Sequence, residues 1–304
     1  MRAPERPAPP RTEEVPTPSP APAVRRRGGR PALVVLARGG LSGFLERVPA
    51  FRALAWAFPR HRRVLVCDAA VLPLVPYAGA FEDAVVAEPS APLAPALTAP
   101  AIAVNLQGRG PWSHRRLLAL GPERLVAFSH PNVPESRRGA TWRAGEPGRG
   151  RWCRLLSAYG LSADADDVEL IPPAHPVPPF VRGATLIHLG ATHAAERWPA
   201  MYWVAVARAE RQAGRPVVIA GGPDDVELAK AVAAGAAVTH ERVFAGRVST
   251  LELAALVAAA ARVMTGDPGV GQLALSLRRP WHRPGFEYPP RGASAPVANA
   301  RVGV

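Results

Sequence analysis

Short apolar runs, each followed by a stretch with helical spacing, constrain this chain more than any other feature. In the first half they are Leu33-Val34-Val35-Leu36, Val64-Leu65-Val66, Ala84-Val85-Val86, Ile102-Ala103-Val104 and Leu125-Val126-Ala127-Phe128. In the second half they are Thr185-Leu186-Ile187-His188, Val217-Val218-Ile219 and Arg262 to Thr265. Continuous apolar character, without alternation, is what a strand covered on both faces requires. Between the runs, Leu45, Val48, Leu54 and Phe58 recur at near-helical spacing up to Pro59, and Arg149 to Tyr159 reads as a helix. Further helices are predicted over Pro199 to Gln212, with Pro199 in the first turn, and over Asp224 to Ala234. Another runs from Thr250 to Ala261, behind Ser249-Thr250 as cap candidates. Two successive strand–helix series predict an α/β protein with two open parallel sheets, each flanked by helices. Ligands in such sheets bind outside the carboxyl ends of the strands, and between two such domains that means a cleft.

The length of 304 residues accommodates two cores. Residues 1–30 are rich in Pro and Arg with little to bury, and read as a disordered tail. A first domain is expected over 31–162. A linker follows over 163–181, where the chain turns acidic and then proline-rich, and a second domain over 182–280. Residues 281–304 read as an irregular Pro/Ala-rich end. The net charge of +13 invites a nucleic-acid partner, with Lys230 as the only lysine. Much of the excess sits at the ends, at Arg25, Arg26, Arg27 and Arg30 and at Arg278, Arg279, Arg283, Arg291 and Arg301. A basic arm touching nucleic acid or anionic lipid is one reading. No aromatic residues interleave with these arginines to stack bases, so nucleic acid is not expected as a partner. Cys67 and Cys153 fit no metal or redox spacing, which suggests a reducing, cytoplasmic location. The longest apolar run, Leu251 to Val263, is interrupted by Glu252 and Arg262 and is too short to span a bilayer, so at most peripheral membrane contact is expected.

Three loops at strand ends in the second half could carry chemistry. Gly190-Ala191-Thr192 followed by Arg197-Trp198-Pro199 places a hydroxyl and a guanidinium near a helix start, within reach of a diphosphate. The plainer reading is a glycine turn with Trp198 packing the helix. Gly221-Gly222-Pro223-Asp224-Asp225 allows close approach of a nucleotide, with a carboxylate for ribose hydroxyls; the alternative is a turn with Asp224 as N-cap. Gly266-Asp267-Pro268-Gly269-Val270-Gly271-Gln272 joins a strand to a helix whose first turn has free N–H groups and a positive dipole end, ready for phosphate. Capping alone, with Asp267 as N-cap and Pro268 at the first helical position, accounts for the same residues.

Together these loops resemble glycosyltransferase family 9, the heptosyltransferase-like enzymes. The matching segments of the second half are His188-Leu189-Gly190-Ala191, Arg197-Trp198-Pro199, Gly221-Gly222-Pro223, Ala245 to Ala254 and Asp267 to Ala274. In the first half, Val48-Pro49-Ala50-Phe51-Arg52-Ala53-Leu54 and Asn105-Leu106-Gln107-Gly108-Arg109-Gly110 resemble a helix and a loop of the same family. The likeness covers roughly Leu33 to Leu277. It implies a GT-B architecture, two Rossmann-like domains facing a cleft, the first binding the acceptor and the second the sugar nucleotide. It further implies transfer of a sugar from a nucleoside-diphosphate sugar to an acceptor hydroxyl with inversion, without a cofactor or a required metal. The acceptor, whether glycan, lipid-linked or small molecule, stays open. By resemblance the donor would meet Gly190, Thr192, Arg197, Gly221, Gly222, Asp267, Gly269, Val270 and Gln272. The acceptor side would hold Gly40, Ser42, Gln107 and Arg109.

The chain departs from the family pattern at sensitive positions. The family's proposed base, an aspartate, falls at Gly43; the motif threonine has become Pro268, the motif histidine Gln272, and a lysine of some members Glu196. Glycine cannot accept a proton, which leaves Asp68, Glu46 or Asp267 as substitutes. After Arg279-Pro280 the family's next strand and closing helix are expected to be missing. The sequence therefore supports two readings, an active family 9 transferase and a catalytically impaired homologue acting as a binding or scaffold protein.

Overall fold

The computed structural model describes residues 29–191 and 197–283. In the first domain β1 (Ala32–Leu36), β2 (Arg62–Cys67), β3 (Asp83–Val86), β4 (Ile102–Asn105) and β5 (Arg124–Val126) form one parallel sheet in the order β3-β2-β1-β4-β5. Val34, at its centre, faces Val64 on one side and Ala103 on the other. Helices α1 (Gly40–Leu45), α2 (Val48–Ala57), α3 (Trp112–Leu118) and α4 (Gly148–Ser157) belong to this half. The single helix expected up to Phe58 is thus two. Pro49 lacks the N–H that would continue α1's ladder and restricts the residue before it, so the chain turns at Glu46-Arg47 before α2 starts.

The second sheet is also parallel, with β6 (Thr185–His188), β7 (Val217–Ala220), β8 (Arg262–Thr265) and β9 (Trp281–His282) in the order β7-β6-β8-β9. Helices α5 (Ala200–Gln212), α6 (Val226–Ala236), α7 (Thr250–Ala259) and α8 (Pro268–Ser276) flank it. Here β9 corrects the expectation that the strand after the last motif is lost: Trp281 and His282 pair with Val263 and Met264. The second domain therefore extends past Pro280, and the expected irregular end starts inside its sheet. Pro199 also moves, to the N-cap of α5, because its extended ψ keeps it out of the first turn.

Two features bind the halves into one body. The segment expected as a linker holds only one turn of 3-10 helix, Pro179–Val181, but Val168, Leu170 and Val181 are buried. Its Leu170 N–H donates to the Ser276 carbonyl of the second domain (2.8 Å), and its Ile171 N–H to the Tyr77 carbonyl of the first (2.9 Å). One apolar cluster also crosses the seam, joining Phe44 and Leu45 of α1 to Val270 and Leu273 of α8. Burial of such side chains contributes about 1.5–3 kcal/mol each, so the seam is a packed interface. Arg30, assigned above to the tail, lies within the fold: it donates to the carbonyls of Pro59, Arg60 and His61 and to Glu82.

Candidate active site

Strand order reverses between β1 and β4 in the first sheet and between β6 and β8 in the second. A crevice opens at such a switch point. The loops at the carboxyl ends of these four strands carry most of the candidate residues, and α1 meets α8 across the seam.

In the second domain the three loops converge. Gly190 follows β6, and a side chain there would touch both His188 and Asp225. A side chain at Gly266 would come within 4.0 Å of the Gly190 carbonyl. Asp225, not Asp224, occupies the N-cap of α6; Asp224 is exposed, which corrects the capping alternative. One Asp225 oxygen accepts from the Gly222 N–H (2.8 Å) and the other lies 3.5 Å from the Arg197 guanidinium. Asp225 is 3% exposed, so it shapes the Gly221-Gly222 turn and aims Arg197; it does not offer itself to a ribose. Trp198 packs against Tyr202 and the fully buried Trp203, as the plainer reading held. Thr192 and Glu196 lie outside the described residues.

His188 closes this cluster from below. Its Nδ1 is buried without a hydrogen-bond partner among the described residues. Burial holds the imidazole below the ordinary histidine value despite the charges of Asp267 and Asp225, so it is neutral near pH 7. At the third loop, Asp267 Oδ1 accepts from the N–H groups of Gly269 (2.7 Å) and Val270 (3.1 Å). Pro268 occupies the first helical position. The capping arrangement is therefore the one present: the two amides that a phosphate would use are held by the protein's own carboxylate. The carboxamide of Gln272 accepts from Ser42 Oγ across the seam (3.2 Å).

The first-domain side of the seam is built around two charges, Asp68, one of the substitute bases, and Arg47, which the sequence pattern did not reveal. Asp68, at the end of β2, accepts from the N–H groups of Gly39 (2.6 Å) and Gly40 (2.9 Å) through one oxygen and pairs with Arg38 (2.7 Å) through the other. Burial opposes its ionisation, but these two amides and the guanidinium hold its pKa below the ordinary carboxylate value. Arg47 is 6% exposed. Its Nε donates to the Leu106 carbonyl (2.5 Å), its Nη1 to the Gly43 carbonyl, and its guanidinium stacks on Trp152 at 4.7 Å. Burial lowers its pKa to about 10, which leaves it charged at neutral pH. A Cβ on Gly43 would stand 2.6 Å from Arg47 Nη1. The guanidinium thus fills the room that a side chain at position 43 would take.

The β4 loop is held by a buried network. Asn105 donates to Ser113 Oγ (2.8 Å), contacts His114 Nδ1 (2.6 Å) and accepts from the Gln107 N–H (2.8 Å). His114 Nε2 lies 2.7 Å from the Phe128 carbonyl. The carboxamide oxygen of Gln107 then accepts from the Arg38 N–H (2.8 Å), which joins the β1 and β4 loops. Arg109 is exposed and makes no hydrogen bond or ion pair among the described residues. The structure therefore brings together Gly40, Ser42 and Gln107 on one side and Gly190, Arg197, Gly221, Gly222, Asp267, Gly269, Val270 and Gln272 on the other. Arg109 stays apart.

Two of the three substitute bases have their carboxylates tied up by hydrogen bonds. Asp68 is held by Arg38 and two amides, and Asp267 by its own helix. Glu46 turns its carboxylate onto Gly148 in the first turn of α4. Arg38, Arg47 and the role of Asp225 were missed in the sequence. For Arg47 a signal existed: it stands four residues after Gly43, so the two lie one helical turn apart.

Comparison with known proteins agrees with this architecture. Residues 158–281 match the family model described as glycosyltransferase family 9 (heptosyltransferase). The fold is similar to that of a family 9 glycosyl transferase from Veillonella parvula, with a TM-score of 0.67 at 17% identity over 83% of this chain and 79% of that one. It is similar to the ADP-heptose lps heptosyltransferase II of E. coli, with a TM-score of 0.62 at 18% identity over 82% and 83% of the two chains. The E. coli heptosyltransferase WaaC with ADP gives a TM-score of 0.60 at 15% identity over 82% of this chain and 86% of that one. No match was found among curated proteins. The structural likeness establishes the GT-B fold. The family match adds that residues 158–281 are similar to glycosyltransferase family 9. Among the described residues no helix is long and apolar enough to cross a membrane.

Proposed function

We propose that this chain is a divergent relative of glycosyltransferase family 9 and takes a sugar from a nucleoside-diphosphate sugar, bound at the carboxyl ends of β6, β7 and β8, and passes it to an acceptor held by the first domain. The observation that carries this reading is the convergence of the Gly190, Gly221-Gly222 and Asp267 loops at the carboxyl ends of β6, β7 and β8. Asp225 is buried behind them and directs the Arg197 guanidinium. A cation beside glycine turns suits a diphosphate leaving group, whose charge grows as the glycosidic bond breaks. Inversion, independence from a metal and a cytoplasmic location are carried over from the family resemblance and the cysteine pattern.

Calorimetric titration with a panel of sugar nucleotides, beginning with ADP-heptose, tests the reading. At least one donor is expected to bind, and Arg197→Ala to weaken it by about tenfold or more, the effect of about 1.4 kcal/mol. Absence of binding across the panel would defeat it. A second reading has its own observation: position 43 is glycine, and Asp68 and Asp267 are tied up by their own hydrogen bonds, so the chain binds donor without turnover to hydroxyl acceptors. Donor binding with no release of nucleoside diphosphate in the presence of alcohols would select it.

A further inference from the structure

We propose a second ligand site, for a phosphate monoester, in a cavity at the amino end of β7. The cavity has a volume of about 320 Å³ and lies where α5 and α6 end, lined by Arg211, Arg215 and Arg242. Among the described residues no Asp or Glu lines it. Val217, the first residue of β7, forms part of its wall, so the cavity sits at the opposite end of that strand from the Gly221-Gly222 turn. The inference therefore stands apart from the glycosyl-transfer reading and goes beyond it.

Helix ends account for only part of this cluster. Arg211 lies in the last turn of α5, and its Nη1 donates to the Ala236 carbonyl at the end of α6, where the helix dipole favours a cation. That single bond leaves most of the N–H groups of the exposed Arg211 guanidinium unused. Arg215 follows α5 and is paired with Glu210 through Nε (2.6 Å) and Nη2 (2.7 Å). Arg242, in the 3-10 turn His240–Arg242, belongs to neither helix. Phe180 of the connecting segment holds it by its face, with the guanidinium carbon 4.7 Å from the ring centroid. Stacking of this kind fixes a guanidinium and leaves the N–H groups along its edge for an anion. The Arg242 side chain makes no hydrogen bond or ion pair among the described residues, and its Nη1 is enclosed without a partner. An enclosed donor without an acceptor is costly, and an anion in the cavity is the acceptor this arrangement lacks. Among the described residues no carboxylate pairs with Arg211 or Arg242, so a dianion balances the two charges, and guanidiniums meet phosphate oxygens through paired N–H groups. Pro216 and Val238 add an apolar wall, and the volume leaves room for a sugar-sized group beside the phosphate.

The test titrates the whole chain calorimetrically with inorganic phosphate, glucose 1-phosphate and adenosine monophosphate, at physiological ionic strength so that screening removes nonspecific attraction. Saturable binding of at least one monoester, tighter than that of inorganic phosphate, is expected. Arg242→Gln should weaken it about tenfold or more. Because Arg242→Gln gives up the stack on Phe180 and risks disturbing the fold, Arg211→Gln at an exposed position provides a second arm, with a smaller loss of affinity. Arg197→Ala should leave monoester binding unchanged, because that guanidinium is directed by Asp225 at the other end of the sheet. Binding lost in Arg197→Ala but kept in Arg242→Gln and Arg211→Gln would assign the phosphate to the carboxyl-end crevice and overturn the proposal. Absence of saturable binding, or citrate binding as tight as that of the monoesters, would overturn it as well. Failure of every sugar nucleotide to bind would defeat the transferase reading, and monoester binding dependent on Arg242 and Arg211 would still identify this site.

Discussion

The two switch-point turns of this molecule solve one problem in opposite ways. In each, a strand ends in glycines, the chain enters a short helix, and a carboxylate accepts two backbone N–H groups. In the second domain the carboxylate is local: Asp267 caps the helix that begins one residue later. In the first it is remote: Asp68, from the end of the neighbouring strand, reaches Gly39 and Gly40 and is itself held by Arg38. A local cap stabilises one helix end. A remote one ties two strands, a turn and an arginine into a unit, so its loss should propagate further.

Replacing each carboxylate tests that difference most strongly. Asp68→Ala leaves two amides and the Arg38 guanidinium without their acceptor, and is expected to cost about 2–3 kcal/mol in urea unfolding, within the range for hydrogen bonds to charged groups. Asp267→Ala should cost about 1 kcal/mol, the usual loss of an N-cap. The asparagine variants sharpen the contrast. Asn caps almost as well as Asp, so Asp267→Asn should be near neutral, whereas Asp68→Asn loses the charge that pairs with Arg38. Equal costs for the two alanine variants would show that the remote tie has no special weight.

Acid should separate the two domains in a second way. His114 in the first domain and His188 in the second are both held below the ordinary histidine value, chiefly by burial. For each, the unfolded chain takes up a proton first, so stability falls as pH drops below about 6.5. Asp68 has a depressed pKa, and its contribution is present above about pH 4 and is lost as pH falls toward its folded value. Stability against pH is therefore expected to fall in two stages. Asp68→Asn should flatten the acid stage and leave the upper one in place; a single transition, unaltered by that variant, would break the assignment.

The same local–remote contrast explains what could be read in the sequence. The strands are legible because runs such as Leu33–Leu36 and Val217–Ala220 are apolar throughout and short. The Ser249 and Asp267 caps are legible because each cap and its amides lie within four residues. Asp68 and Gly39 are 29 residues apart, and no period or motif links them. The Gly221–Asp225 turn offers a carboxylate for a ribose by pattern alone, and only burial shows that Asp225 faces Arg197. Trp281 and His282 were missed as a strand because two residues beside prolines carry no pattern, and only pairing with β8 defines them.

The smallest expected effect concerns the contact between the turns themselves. Ser42 Oγ donates to Gln272 Oε1 across the seam, a partly exposed neutral bond that contributes about 0.5 kcal/mol to stability. A Cβ on Gly269 would come 3.4 Å from the Ser42 nitrogen, so Gly269→Ala presses on the same seam and should cost somewhat more than Ser42→Ala. The sign of the effect on ligand binding is more informative than its size. If a donor enters between α1 and α8, it must displace the Ser42–Gln272 bond, and that loss opposes binding in the native chain. Ser42→Ala has already given up the bond, so it should bind donor more tightly, by about twofold, while unfolding slightly more easily. Gln272→Ala should not show this gain, because the carboxamide it removes would otherwise be released to face the donor. Weaker donor binding in Ser42→Ala would instead make the hydroxyl a donor contact, with the two turns remaining closed on the bound sugar nucleotide.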